Sequence, residues 1–236
     1  TLVDELEWGV KDQVVDALPN AQVADAVREL ETDDAVYVLE DMEAGDQREV
    51  LAQLPAADRA TLERSLDYPE ESAGRLMQAE LIAVPPHWTV GQVIDHMREA
   101  ADLPEHFSEI YVADETHHLI GVVALDRLLR ARRPVSVRDI MEADPHTIPV
   151  GLDREDVARQ FERHNLMAAP VLDADDRLVG VVTADDVVEV VNEEAEEDIH
   201  RLGGVGDESV SDSVLTITRG RFLWLFVNLL TALLAS

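Results

Sequence analysis

Residues 76–191 carry one structural unit twice, and this duplication restricts the fold more than any other feature of the chain. Leu76-Met77 matches Ile140-Met141 at an offset of 64 residues, and Val84-Pro85 and Val93 match Ile148-Pro149 and Val157 at the same offset. Past five extra residues in the first copy the offset falls to 59, laying IYVADETHHLIGVVALDRLL (110–129) over PVLDADDRLVGVVTADDVV (170–188). Asp114 then falls on Asp173, Gly121 on Gly180 and Asp126 on Asp185. Each copy reads as strand, helix (93–100; 156–164), strand, tight acidic turn, Gly-Val-Val strand and helix. Such a unit leaves an apolar sheet face and edge open, so the two are expected to pack on each other.

Upstream, residues 1 to about 70 show apolar-periodic stretches without strand signals and are expected to form short helices. Leu18-Pro19 and Leu54-Pro55, 36 residues apart, each close one stretch and open the next, a spacing that suits stacked helical hairpins. Asp33, Asp46 and Asp58 stand where N-caps are expected, Asp46 with Glu49 in a capping-box arrangement. The expected fold class is α+β, an all-helical N-terminal domain followed by tandem β-α-β-β-α units.

Fifty Asp and Glu stand against 19 Lys and Arg, a formal net charge of −31, and Lys11 is the single lysine. Hydrophobic residues still reach 46%, ample for a packed core. The charge repels nucleic acid and anionic lipid, so neither is an expected partner; cations and basic surfaces are. A uniformly acidic, lysine-poor surface is also what adaptation to high salt produces, so a carboxylate is informative only through its position. Absence of cysteine removes disulfides, thiolate nucleophiles and cysteine zinc sites. No histidine stands in HExxH spacing and no Gly-x-Ser-x-Gly occurs, so no enzyme is expected.

The segment from Asp185 to Leu202 reads as a helix in which Val188, Val191, Ala195, Ile199 and Leu202 form an apolar stripe. Asp186, Glu189, Glu193 and Glu197 are expected on the opposite side, flanked by Asp185, Glu194, Glu196 and Asp198. Four like-charged i,i+4 pairs cost together ~1–2 kcal/mol. No base interrupts the acids before Arg201. Bound cations would relieve that repulsion, and oxygen-only ligands suit hard ions such as Mg²⁺ or Ca²⁺. A salt-adapted solvated face is the competing reading. Beyond it, FLWLFVNLLTALLA (222–235) follows Arg219 and Arg221. Shorter than the ~20 apolar residues of a full span, it is expected to be the start of a transmembrane helix; a C-terminal core helix is the alternative. Thr1, with no signal peptide after it, is expected to begin a fragment.

The tandem units, each with a final Gly-Val-Val strand and an acid five residues after its glycine, resemble a cystathionine-β-synthase (CBS) domain pair. Preceded by YPEESAGRLM (68–77) and followed by VNEEAEEDIHRLGG (191–204) and RGRFLWLFVNL, the order resembles the cytosolic portion of an MgtE-type magnesium transporter. The resemblance implies an N-domain (1–72), CBS repeats (73–137 and 138–190), an acidic plug helix (185–205), a linker (206–219) and a truncated first membrane helix (220–236). It implies Mg²⁺ as regulatory ligand, a homodimer through the CBS pair, a pore domain in the cell membrane, and the cytoplasmic side as the place of this part. It places metal ligands on Asp186, Glu189, Glu194, Glu197 and Asp198 of the plug helix and on Asp33 of the N-domain. Glu193, Asp153 and Glu155 complete the candidates, N-capping being the competing role of the last two. Tyr37 stands where related sequences carry an acid, which weakens the N-domain site. Mg²⁺ held by N-domain, CBS pair and plug helix would favour a compact closed state.

In many CBS pairs the cleft between repeats holds adenine nucleotides. Here Thr183 and Asp186 of GVVTADD would contact phosphate and ribose, with Ala169 and Pro170 at the base, so ATP is a second candidate ligand and an adenine-nucleotide sensor the alternative function. The first repeat has Ala124 in place of the hydroxyl residue. LGGVG (202–206) reads as a helix C-cap and hinge, and His117-His118 as a solvated turn.

Overall fold

The computed structural model describes residues 18–100, 103–104 and 106–203, the last eight by their backbone alone. The expected linker and membrane helix, residues 206–236, lie outside the described residues. Among the described residues no helix is long and apolar enough to cross a membrane. The chain divides into two units at Val187/Val188.

The first unit begins with four helices: α1 (Asn20–Val27), α2 (Thr32–Glu40), α3 (Ala44–Gln53) and α4 (Ala56–Leu66). Val23, Val27, Val36, Leu39, Val50 and Leu62 form their common core. Leu54 closes α3 in extended conformation and Pro55 precedes α4, as the Leu-Pro step predicts. The three aspartates are not N-caps: Glu31, Glu43 and Pro55 hold those positions, and Asp33, Asp46 and Asp58 fall within first turns. Asp46 and Glu49 instead both accept from Asn20 Nδ2, at 2.9 and 3.0 Å, tying α3 to α1. A contact across helices outcompetes the local box.

The short α5 (Ala73–Leu76) leads into the first repeat: β1 (Ala83–Val84), α6 (Val90–Glu99), β2 (Glu109–Ala113), β3 (Leu119–Ala124) and α7 (Leu125–Arg130). After α8 (Val137–Ile140) the second repeat follows with β4 (Ile148–Pro149), α9 (Arg154–His164), β5 (Ala168–Leu172), β6 (Leu178–Thr183) and α10 (Ala184–Gly203). Each sheet has a parallel pair (β1–β2; β4–β5) and an antiparallel pair (β2–β3; β5–β6). Thr89 and Asp153 cap α6 and α9, so these helices start before the expected 93 and 156.

The equivalences predicted from sequence hold in three dimensions. Asp114 accepts from the backbone of Thr116 and His118, and Asp173 from that of Asp175 and Arg177. His117 and Asp176, with φ of 64° and 59°, turn the two hairpins at equivalent points. The repeats also exchange their leading segments: Gln78 bridges to Val181, and Glu142 to Val122. A Cβ on Gly180 would stand 2.6 Å from the Gln78 carbonyl, and one on Gly121 would meet the Glu142 carbonyl. Only glycine admits the crossing backbone at these places.

Candidate metal-binding site

The N-terminus of α2 meets the repeat pair at two places, the segment around Gln78 and Glu80 and the start of α10. Thr32 donates its backbone N–H and its hydroxyl to the two oxygens of Glu80, at 3.2 and 2.8 Å. An acid from the repeat pair thus satisfies the first free amide of α2, where a negative charge is favoured. Gln78 Nε2 donates to Glu31 at 2.8 Å. On the other side Thr183 is the N-cap of α10, and its N–H and hydroxyl both donate to Asp186 Oδ2, at 2.9 and 2.6 Å. This closed cap fixes the rotation of α10 and turns Asp186, 6% exposed, toward Asp33.

Asp33 and Asp186 share a hydrogen bond, and two carboxyls can do so only with one proton between them. Asp33 is held well above its ordinary range by burial, by the charges of Asp186 and Asp34, and by donating that proton to Asp186. Burial raises Asp186 too, outweighing the hydrogen bonds from Thr183 and Asp33 that lower it. Glu31 is pushed up to about 7 by burial and then by Glu80, Asp186, Asp34 and Asp185. Every charge acting most strongly on Glu31 and Asp33 is another carboxylate.

Asp33 Oδ1 is buried and lacks a hydrogen-bond partner. Among the described residues no three acids or imidazoles converge to enclose an ion. Two carboxyls could supply at most one or two ligands to a hard cation that keeps its remaining waters, and they form no protein cage for a dehydrated ion.

Glu189, Glu193 and Glu194 are half-buried on α10, while Val188 and Val191 are 57% and 52% exposed and Ala195 is exposed. This reverses the expected partition of that helix. The Thr183–Asp186 cap sets α10 so that Val187 enters the core of the second repeat and Val190 is buried as well, one residue out of step with the expected stripe. The side chains of Glu197, Asp198, Ile199 and Leu202 lie outside the described residues. Asp153 accepts from Glu155 N at 3.0 Å, and Glu155 pairs with Arg159 at 2.6 Å, so both are occupied with starting α9.

The cleft joining the repeats is lined by Thr183 from the predicted nucleotide set. Ala169 is fully buried in the core of the second repeat and Pro170 is buried in β5, so neither lines it, and Asp186 is turned away to Asp33. Glu31, Gln78, Glu80 and the cleft residue Glu109 were not legible as functional: no local motif marks them. The first three become partners only when distant segments meet.

Residues 1–71 match the family described as MgtE intracellular N domain, and residues 73–134 and 137–193 match the CBS domain family. The chain is 28% identical over 236 residues to the magnesium transporter MgtE of Bacillus subtilis, covering 100% of this chain and 52% of that protein. To the magnesium transporter MgtE of Thermus thermophilus it is 34% identical over 220 residues, covering 91% and 46%. It spans about half the length of the curated relatives it matches. Among solved structures, the soluble part of a magnesium transporter superposes with a TM-score of 0.73 at 30% identity, over 78% of this chain and 72% of that one. The cytosolic domain of the Mg²⁺ channel MgtE in complex with ATP superposes with a TM-score of 0.73 at 33% identity, over 80% and 77%.

Proposed function

Since the chain belongs to the MgtE family of magnesium transporters, we propose that it is the cytosolic Mg²⁺-sensing region that gates such a transporter. The observation that carries this reading is the approach of two acids, Asp33 with its Oδ1 buried and unpartnered and Asp186 buried, at the meeting of helical domain and repeat pair. Bound there, Mg²⁺ would supply the positive charge that the site otherwise takes from one proton. Asp33 and Asp186 would hold the hydrated ion; Glu31, Asp34 and Asp185 would add to its attraction. Glu189, Glu193, Glu194, Glu197 and Asp198 are proposed as further acids responding to the same cation. Without a cation the carboxylates repel, and helical domain and repeat pair separate; with it they dock and α10 passes the change toward the pore.

Protection of residues 185–205 from proteolysis tests this. Millimolar Mg²⁺ is expected to protect them where KCl of equal ionic strength does not. Equal protection by both salts would leave only screening and end the reading. A homodimer through the CBS pair is part of the proposal, and Leu129 and Met167, 65% and 68% exposed, are its candidate contacts. Sedimentation of a Leu129→Glu, Met167→Glu variant should give monomers; an unchanged dimer would rule out this face.

A second reading, an adenine-nucleotide sensor, is favoured by the cleft that Thr183 lines and by similarity to a cytosolic domain in complex with ATP. Calorimetric titration with ATP and with adenosine tests it, and absence of heat from both would discard it.

A further inference from the structure

The helix that carries Asp33 has no cap of its own. The N-cap of α2 is Glu31, extended and making no side-chain cap bond, and the first amides of a helix find no acceptor within it. Glu80 supplies that acceptor from another segment. Its carboxyl takes both donors of Thr32, the N–H at 3.2 Å and the hydroxyl at 2.8 Å. Thr32 is 4% exposed, so it is Glu80 and not water that satisfies them, and losing Glu80 would leave two buried donors unpaired.

Glu80 is anchored in turn. It lies on the leading segment of the first repeat, whose backbone is bonded to the second. The N–H groups of Ala73 and Gly74 donate to the Leu152 and Val150 carbonyls at 2.7 and 2.8 Å, and Gln78 exchanges bonds of 2.8 and 2.9 Å with Val181. Three side chains reach the helical domain from this strap. Arg75 pairs with Glu40, the last residue of α2, while Gln78 holds Glu31 and Glu80 holds Thr32. The strap thus fixes α2 at both ends, and Asp33, next after Thr32, stands in the first turn that Glu80 completes.

Charge and geometry assign Glu80 opposite effects. By charge it opposes docking, because it is one more carboxylate beside Glu31 and helps, after burial, to raise that group. By geometry it favours docking, because separation of the domains strips the first turn of α2 of its acceptor and loosens the turn that carries Asp33.

We propose that Glu80 is the positioning residue of the cation site: it caps α2 across the domain boundary and so completes the turn that presents Asp33 to Asp186 only when the domains are docked. This rests on the Mg²⁺-sensing reading and adds that site and docked interface assemble together. Geometry outweighs charge in that role, since Glu80 places both its oxygens on one buried residue.

The test is a Mg²⁺ titration of the full chain, with ionic strength held constant by KCl and compaction followed by small-angle scattering. Glu80→Asp keeps the charge but is one methylene too short, whereas Glu80→Gln keeps the reach and an acceptor oxygen without the charge. Glu80→Asp is expected to raise the Mg²⁺ midpoint about fivefold or more, and Glu80→Gln to leave it within about twofold. Thr32→Val, which removes one donor of the same pair, should raise the midpoint too and add little when combined with Glu80→Asp. Glu80→Asp at the unaltered midpoint, or Glu80→Gln shifted as far as Glu80→Asp, overturns the positioning role while the sensing reading stands. If KCl compacts the unaltered chain as well as Mg²⁺ does, the sensing reading fails and the role of Glu80 falls with it.

Discussion

Asp33→Asn isolates the electrostatic cost of docking the helical domain on the repeat pair. In the docked chain Asp33 gives a proton to Asp186, whose other partners are the N–H and hydroxyl of Thr183. Removing that proton leaves two carboxylates face to face. Unit charges about 4 Å apart repel by ~4 kcal/mol at an effective dielectric constant of 20. Asp33 is only partly shielded as a whole residue, although its Oδ1 is buried, so ~2–3 kcal/mol is the better figure after screening. That corresponds to a docking equilibrium shifted by ~30–150-fold. Asparagine keeps a donor at the same place and cannot ionise, so the variant should dock without Mg²⁺. The assay is cleavage after the exposed Glu70, in the link between helical domain and first repeat, by a glutamate-specific protease, with small-angle scattering in parallel. The unaltered chain should become compact and resistant as Mg²⁺ rises, with ionic strength held by KCl. Asp33→Asn should be compact and resistant throughout. A variant that is extended in EDTA and closes at the same Mg²⁺ midpoint as the unaltered chain would refute the reasoning, because repulsion at this pair would then not oppose docking.

Three further outcomes follow from packing and charge. Gly180→Ala and Gly121→Ala each drive a methyl group against a crossing backbone carbonyl, and denaturant unfolding should show losses of ~1–3 kcal/mol; values near zero would mean that the exchanged segments yield. Arg75 pairs with Glu40 at 2.8 Å and donates to the Leu66 and Tyr68 carbonyls at 2.9 and 2.8 Å, so Arg75→Ala should cost ~2–3 kcal/mol by calorimetry, and Arg75→Lys should recover only the ion pair. Glu109 has its folded-state pKa raised from 4.5 to about 7, so the folded state holds the extra proton in this window and stability falls as pH rises across it. Glu109→Gln should remove ~1–2 kcal/mol of that decline after allowance for solvent, seen as melting curves that converge near pH 4.5 and diverge toward pH 7; parallel curves would show that this carboxyl does not titrate there.

How much was legible in advance depended on distance along the chain. The repeat offsets of 64 and 59 correctly paired Asp114 with Asp173 and Gly121 with Gly180, because each equivalence repeats a local demand: a turn to be bridged, a strand with no room for a side chain. Capping was less legible. Asp46 and Glu49 had the spacing of a box, but Asn20 from α1 took both. The faces of α10 were reversed for the same kind of reason. Periodicity groups residues on a helix but cannot say which group turns inward, and the cap between Thr183 and Asp186 settled that rotation.

From sequence alone came the α+β class, the two CBS-like units, the helical domain before them, and Asp33 and Asp186 as acids of one candidate site. The class and the units rest on local rules, such as strand and helix periods, turn acids and glycine, which recur wherever the same short segment recurs; Asp33 and Asp186 came from the resemblance to the MgtE-type cytosolic region. Tertiary structure alone decided that Asp33 approaches Asp186, that Glu80 caps a helix of another domain, and that Glu109 lines the cleft joining the repeats. Such pairings join distant segments whose approach is set by packing and desolvation, and the same desolvation turns an ordinary aspartate into a group that must hold a proton or a cation.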